Sequence, residues 1–563
     1  MDLNFYKNGQ EMEPRTYSNG KSQLDTIQEI IDGFEEHDII YLKGVVGSGK
    51  SVIGIRTALE LGGGIVSVPT KMLSRQYRDD YSKDDSYFEK DNGEKADIKV
   101  MKGRSNFQCP YLNKREGSLV ADWKTNCQNS SLPCTKPLGE NQKRSKTVKK
   151  CNWAGLVTNS DNIEATFDKR AQYCGVSGIW SCLLDRGDDG NYCPYWSQYV
   201  AGAYSDIVVM NSIKAKIETW IGRLPQKPLF VVDEADMFLD NLSSKLTLSE
   251  KRIEKLVKEM KNNGTKSKNI RSIEEVWQKL KDGKMNPFET LGRIHKTLEK
   301  AEMTNEFYWD IGKIMQHAKE CSCNKKEDND GNLKVEFIVA NPGPILDDLL
   351  DKMGGKVLMM SATAPSKNVM REIFKIDPLI IEGETKFPGT IKQRSTSQEM
   401  KVNYDNWKNG KFRVEYFNLW DKITKLAEKP AFTPCHATKY LPKSVESDKI
   451  TQNEALKGKG VSYSTKMDRG ADLGEKESLI LQKYPFPNTQ DPLLKAMRKK
   501  LGESKFWKYY RDLARREFIQ QVGRIMRDEN AEKEFWSPDK KCHEALQKEW
   551  EGEIEKKLVI EHV

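Results

Sequence analysis

The 563-residue sequence has no unbroken apolar run of about 18 residues, so a membrane-crossing helix is not expected. Met1 to Pro14 is polar and acidic and lacks the apolar centre of a secretory signal. A cytoplasmic or nucleoid-associated location is therefore expected. No segment repeats at a fixed period, which excludes solenoids, propellers and collagen-like chains. No C-x-x-C pair occurs among the 11 cysteines, and their odd number, with no secretory context, makes a disulfide framework a poor explanation. Neither sign of charge dominates: 92 Lys and Arg face 83 Asp and Glu, a net of +9.

What is present is unevenly placed. The length suits roughly three to four domains, and 37% hydrophobic residues suffice for several cores. From Lys102 to Cys151 there are 11 basic and 3 acidic residues, and from Lys251 to Lys281 there are 10 and 4. These two stretches exceed the whole net charge, and a local basic excess suits contact with a polyanion. A solvated lysine-rich surface is the plainer explanation on composition alone. Seven of the 11 cysteines fall between Cys109 and Cys193, a clustering that points to a metal site.

Three motifs carry chemistry. Gly44-Val45-Val46-Gly47-Ser48-Gly49-Lys50-Ser51 fits G-x-x-x-x-G-K-[ST]. Asp38 to Leu42 before it reads as a buried strand, and Val52 to Leu61 after it as a helix. Such a turn lets backbone N–H groups curl around phosphates at a helix N-terminus. Lys50 would reach the β- and γ-phosphates and Ser51 would hold Mg²⁺. Leu229 to Val232 reads as a central strand ending in Asp233-Glu234-Ala235-Asp236. Carboxylates at the C-terminal end of a parallel strand sit beside the phosphate loop. Asp233 is expected to hold Mg²⁺ and Glu234 to act as general base on the attacking water. Gln520-Gln521-Val522-Gly523-Arg524-Ile525-Met526-Arg527 fits Q-x-x-G-R-x-x-R, and the spacing predicts both arginines on one helix face, as arginine fingers.

In this order the motifs resemble those of superfamily 2 helicases. Ser361-Ala362-Thr363 after Val357-Leu358-Met359-Met360 resembles the S-A-T motif. Gln23, 21 residues before Gly44, resembles the adenine-reading glutamine. Val68-Pro69-Thr70 with Gln76 resembles the motif that contacts single-stranded DNA. Lys102-Gly103-Arg104-Ser105-Asn106-Phe107-Gln108-Cys109 resembles the lead-in to the iron–sulfur domain of the XPD and DinG helicases. Cys193-Pro194-Tyr195-Trp196, followed by Ala203 to Asn211, resembles its exit. Lys466 to Leu473, with Gly470 and Asp472, then Pro485-Phe486-Pro487 and Asp491-Pro492, resembles motif V of the same group. Two departures stand out. Asp236 replaces the family's usual histidine, and motif IV is recognisable only as Ala431-Phe432-Thr433-Pro434.

The resemblance implies an α/β fold with two RecA-like parallel-sheet motor domains. One motor comprises 1–101 and 194–242, and the other 351–563. A cysteine-rich cluster insertion occupies 102–193 and a helical arch insertion 243–350. Arg252 to Met260, Ile273 to Leu280, Phe288 to Ala301 and Phe307 to His317 show helical spacing, and the stretch at 328–332 reads as a turn. A calcium loop there is excluded, because Lys326 and Phe337 would occupy its first and last ligand positions.

The resemblance also implies cofactors and partners: ATP and Mg²⁺ at Gln23, Gly44, Gly47, Ser48, Gly49, Lys50, Ser51, Asp233, Gly470 and Asp472. Lys50, Asp233, Glu234, Gln520, Arg524 and Arg527 are the expected catalytic set. A [4Fe-4S] cluster needs four thiolates, and Cys109 and Cys193 match the family's outer ligands. Cys174 and Cys182 are the preferred middle pair, with Cys127 and Cys134 as the competing pair and Cys151 a further candidate. Four thiolates also suit zinc. Expected partners are single-stranded DNA and duplex junctions, bound by a monomer moving 5′→3′. A DNA-dependent translocase with little unwinding, and a non-catalytic metal-stabilised nucleic-acid module, are the alternatives.

Overall fold

The computed structural model describes residues 2–109, 127, 194–220, 224–262, 264–301, 303, 306–328, 330–435, 438–441, 460–464 and 473–558. The apolar runs of the sequence become parallel strands covered on both faces, which is why they do not alternate with polar residues. Seven strands form the first sheet, in the order Leu379–Glu382, Ile39–Lys43, Lys356–Ser361, Leu229–Asp233, Gly64–Val68, Ile207–Asn211 and Ile98–Met101. Every neighbouring pair is parallel. Six strands form the second sheet, also all parallel: Val461–Ser464, Ala431–Pro434, Ser478–Ile480, Glu532–Trp536, Thr390–Ser395 and Glu553–Leu558.

The expected boundary at residue 351 moves. Lys356–Ser361, which leads into Ala362-Thr363, lies between the phosphate-loop strand and the carboxylate strand. Its Val357, Leu358, Met359 and Met360 are fully buried, and only a central position in a two-faced sheet hides such a run. The second sheet therefore starts at Thr390. Ala431–Pro434, the weakest expected motif, is an interior strand of that sheet. The C-terminal segment combines a helix and a strand. The helix Lys540–Glu549 is followed by Glu553–Leu558, which pairs with Thr390–Ser395 as an edge strand rich in charge.

The arch segment is also not purely helical. Helices Glu250–Asn262, Ser267–Lys281, Pro287–Lys300 and Glu306–Gln316 bury Ile253, Leu256, Ile273, Trp277, Leu291 and Ile311. Strands Ser244–Ser249, Cys321–Glu327 and Leu333–Val339 add a three-stranded antiparallel sheet. Leu246 and Leu248 alternate with more exposed neighbours, while Val335 to Val339 is buried throughout, patterns that helical spacing does not capture. The turn at 328–332 closes that hairpin, with Gly331 N–H donating to the Asp328 carbonyl at 3.0 Å.

The cysteine-rich segment leaves and rejoins the first motor at one place. The Lys102 N–H donates to Gln198 Oε1 at 2.7 Å, and Gln198 Nε2 donates back to the Lys102 carbonyl at 3.0 Å. Beside them Phe107 meets Tyr195 edge-on at 5.7 Å, and Arg104 lies 4.4 Å from the centre of the Tyr195 ring. Among the described residues, no helix is long and apolar enough to cross a membrane.

Candidate nucleotide site between the two motors

The phosphate loop follows its strand directly. Gly47 and Gly49 have φ of 84° and 80°, a region only glycine enters cheaply, and Gly49 caps the helix Lys50–Glu60. A side chain at Gly49 would also run into the Gln23 amide. Gln23 is buried and accepts from the Arg15 N–H at 3.0 Å. Arg15 Nη1 donates to the Gly47 carbonyl at 2.8 Å, and Tyr17 OH to the Ser48 carbonyl at 3.1 Å. Arg15 and Tyr17 thus hold the loop from outside. The sequence hides their role, because the only marker is their place just before Gln23.

Lys50 Nζ donates to the Gly44 and Val45 carbonyls at 2.6 and 2.7 Å, so the ammonium lies over the loop. Burial pushes it below its ordinary value; Glu234 and Asp233 pull it back, and Arg527 adds to the depression. Asp233 ends the carboxylate strand. Its Oδ2 accepts from Tyr77 OH at 2.8 Å and its Oδ1 from the Glu234 N–H at 3.0 Å. Burial raises the Asp233 carboxyl, against the Tyr77 hydrogen bond, the Lys50 charge and the Ser51 hydroxyl. A buried carboxylate beside a helix-terminal serine hydroxyl is an oxygen donor pair that suits a hard, phosphate-bound cation, and the neighbouring lysine suits the phosphate itself. Glu234 has a left-handed backbone (φ 50°), which turns the chain sharply from strand to the helix Ala235–Asp240. A non-glycine residue held there costs about 1 kcal/mol, the kind of strain that clusters at functional sites.

Asp236 is fully buried, and its substitution for histidine leaves it well connected. It accepts from Ser361 Oγ at 2.8 Å and from Thr363 Oγ1 at 2.9 Å. Gln520 Nε2 in turn donates to Thr363 Oγ1 at 3.0 Å, and approaches Glu234 Oε2 at 3.4 Å. A polar chain therefore runs from the first motor's carboxylates through the S-A-T residues to the second motor's helix Glu503–Val522. That helix also brings buried Arg516, with Nη1 2.7 Å from Asp240 and Nε 2.8 Å from Asp512. The sequence conceals Arg516, because it lies in an ordinary run with Arg511 and Arg515.

The expected helix face of Arg524 and Arg527 is corrected. The helix ends at Val522; Arg524 lies on the turn that follows and Arg527 on the irregular chain just beyond it. Ile525 and Met526 are fully buried in the second motor's core, which draws the chain off the helical path. Arg524 is itself buried, and Arg527 lies near enough to Lys50 to act on its charge.

Lys50, Ser51, Asp233, Glu234, Gln23 and Gln520 thus converge where the two sheets meet. Gly470 and Asp472 lie outside the described residues, as do Cys134, Cys151, Cys174, Cys182 and Cys193. Cys109 is buried, and the buried Cys127 donates its N–H to the Phe107 carbonyl at 2.9 Å. Among the described residues, no group of three or more His, Cys, Asp or Glu is arranged to hold a metal ion.

A helicase C-terminal domain matches residues 452–556. Two solved structures share the fold over almost their whole length. An XPD helicase is 16% identical, with 95% of this chain and 99% of that one covered and a TM-score of 0.58. An XPD in its apo form is 14% identical, with 94% and 99% covered and a TM-score of 0.51. No curated protein matches the chain in sequence. Two all-parallel sheets, the first carrying the phosphate loop and the second overlapping the helicase C-terminal match, make up the core of the chain. The chain has the XPD-like fold.

Proposed function

We propose that the protein is an ATP-driven DNA helicase that moves 5′→3′ on single-stranded DNA and separates duplexes ahead of it. The observation that carries this reading is the polar chain from Glu234 and Asp236 through Ser361 and Thr363 to Gln520, which ties the hydrolytic carboxylates to the opposite motor. ATP would lie between the motors, its phosphates on the N–H groups of Gly47 to Ser51 and its adenine beside Gln23. Mg²⁺, held by Ser51 and Asp233, would offset phosphate charge. Glu234 would take the proton of the attacking water. Arg524 and Arg527 would face the γ-phosphate from the second motor. Hydrolysis would loosen the Gln520 link and let the motors part.

The exposed lysines of Glu250–Asn262 and Ser267–Lys281 stand outside a buried apolar seam and suit DNA phosphates. We place an iron–sulfur cluster in the segment after Lys102, with Cys109 as its first ligand. The Cys127 hydrogen bond to Phe107 supports the layout with Cys127 and Cys134 over that with Cys174 and Cys182. Such a cluster would act as a structural staple. Serine substitution at Cys127 and at Cys174, with iron counted in each protein, chooses between the two layouts.

Strand displacement on a 5′-tailed duplex, with ATP hydrolysis followed alongside, tests the main reading. Hydrolysis that rises with single-stranded DNA, together with displacement, is the expected result. Hydrolysis without displacement would leave a translocase, and no hydrolysis would refute the reading.

A further inference from the structure

The helix Lys71–Tyr81 has two unlike faces. Lys71, Arg75 and Arg78 are exposed along one side, while Ser74 and Tyr77 are buried on the other. The exposed side offers cations to a polyanion. The buried side reaches the nucleotide site. Tyr77 is 1% exposed, and its phenol donates to Asp233 Oδ2 at 2.8 Å. The Ser51 hydroxyl lies in the same hydrogen-bonded group. Asp233 is therefore gripped on both oxygens, by a phenol from one helix and by the N–H of Glu234. The phenol ring is itself held: Tyr81 meets it edge-on at 5.3 Å, and Tyr81 packs against Phe5 and Phe88 at 5.6 and 5.7 Å. A shift of the helix along or across its axis would carry the Tyr77 hydroxyl with it.

We propose that Tyr77 is a positioning residue that sets the Asp233 carboxylate for the cation, so that a nucleic-acid strand on the cationic face of this helix tunes metal binding. The proposal rests on the ATPase reading above. Two held oxygens fix the plane of the carboxylate while leaving lone pairs free for water on a cation. Loss of one grip lets the carboxylate turn, and a hydrogen bond to a charged group is worth about a tenfold change in an equilibrium.

The test uses the full chain and a fluorescent ADP, titrated with Mg²⁺ or held in EDTA, with and without oligothymidylate. In the native protein, Mg²⁺ tightens ADP, and the oligonucleotide lowers the Mg²⁺ concentration needed. Tyr77→Phe is expected to raise that concentration about tenfold and to abolish the oligonucleotide effect, with ADP affinity in EDTA unchanged. A purely packing role would not separate the Mg²⁺ and EDTA affinities. Tyr77→Phe with native Mg²⁺ dependence would overturn the proposal. Arg75→Ala supplies a second arm should Tyr77→Phe fold poorly. It should keep the native Mg²⁺ dependence but lose the oligonucleotide shift, and a shift that survives there overturns the strand linkage. A native chain whose ADP affinity ignores Mg²⁺ refutes the ATPase reading itself.

Discussion

The two parallel sheets share an architecture and divide the labour. The seven-stranded sheet presents Lys43, Asp233 and Ser361 at the C-terminal ends of three adjacent strands, beside the loop that carries Lys50. The six-stranded sheet contributes none of the strand ends named in the cleft. It sends in the end of one helix and the chain just after it, with Gln520, Arg524 and Arg527. In the proposed reading, one sheet binds the nucleotide and the other senses it. The difference follows from which parts are rigid. Strand ends fixed on both sides hold a cation well, whereas a helix end on a separate sheet can approach and withdraw.

That division can be broken by experiment. Lys50→Ala should have the largest effect: loss of turnover and of ADP affinity together, read by phosphate release and fluorescent-ADP titration. Arg524→Ala should lower turnover by about a thousandfold, the scale of an arginine finger, with ADP affinity kept. If it weakened ADP as Lys50→Ala does, the second sheet would be a binding partner and the contrast would fall. Arg516→Met should destabilise the closed pair of motors by about 3–5 kcal/mol, because buried Asp236 and Asp512 and partly buried Asp240 would all lose its guanidinium. A denaturant midpoint unchanged from native would refute that. Asp236→Ala should lower basal hydrolysis by no more than about a hundredfold, the weight of hydrogen bonds to a charged group, but cut its stimulation by DNA further. Lys258→Ala with Lys268→Ala should have the smallest effect. The slope of log affinity against log salt should fall by about 0.7 for each phosphate no longer neutralised, with turnover untouched.

The legible parts are those where chemistry demands both a residue type and a spacing. Gly47 and Gly49 announce their loop because nothing else takes their backbone angles. Leu229 to Asp233 announces its strand because a doubly covered strand cannot alternate. The boundary at 351 misleads because Lys356–Ser361 is near in sequence to the second motor but pairs with strands at 39–43 and 229–233, and a parallel pairing of that range leaves no local trace. Arg524 and Arg527 keep a helical spacing in the sequence while buried Ile525 and Met526 pull them off the helical path. Tyr77 gives no sign of its role because one tyrosine on an amphipathic helix looks like any other core residue until the carboxylate opposite is seen.

The reciprocal clasp of Lys102 and Gln198 has an engineering consequence. A segment whose two ends are joined within hydrogen-bond reach is a detachable cartridge. Residues between those ends can lengthen, shorten or be exchanged at the modest entropy cost of loop length, while the strands Ile98–Met101 and Ile207–Asn211 stay in register with each other. A short linker from Lys102 to Pro194 should therefore yield a motor without its insert that still binds nucleotide, and foreign inserts could be fitted to the same socket.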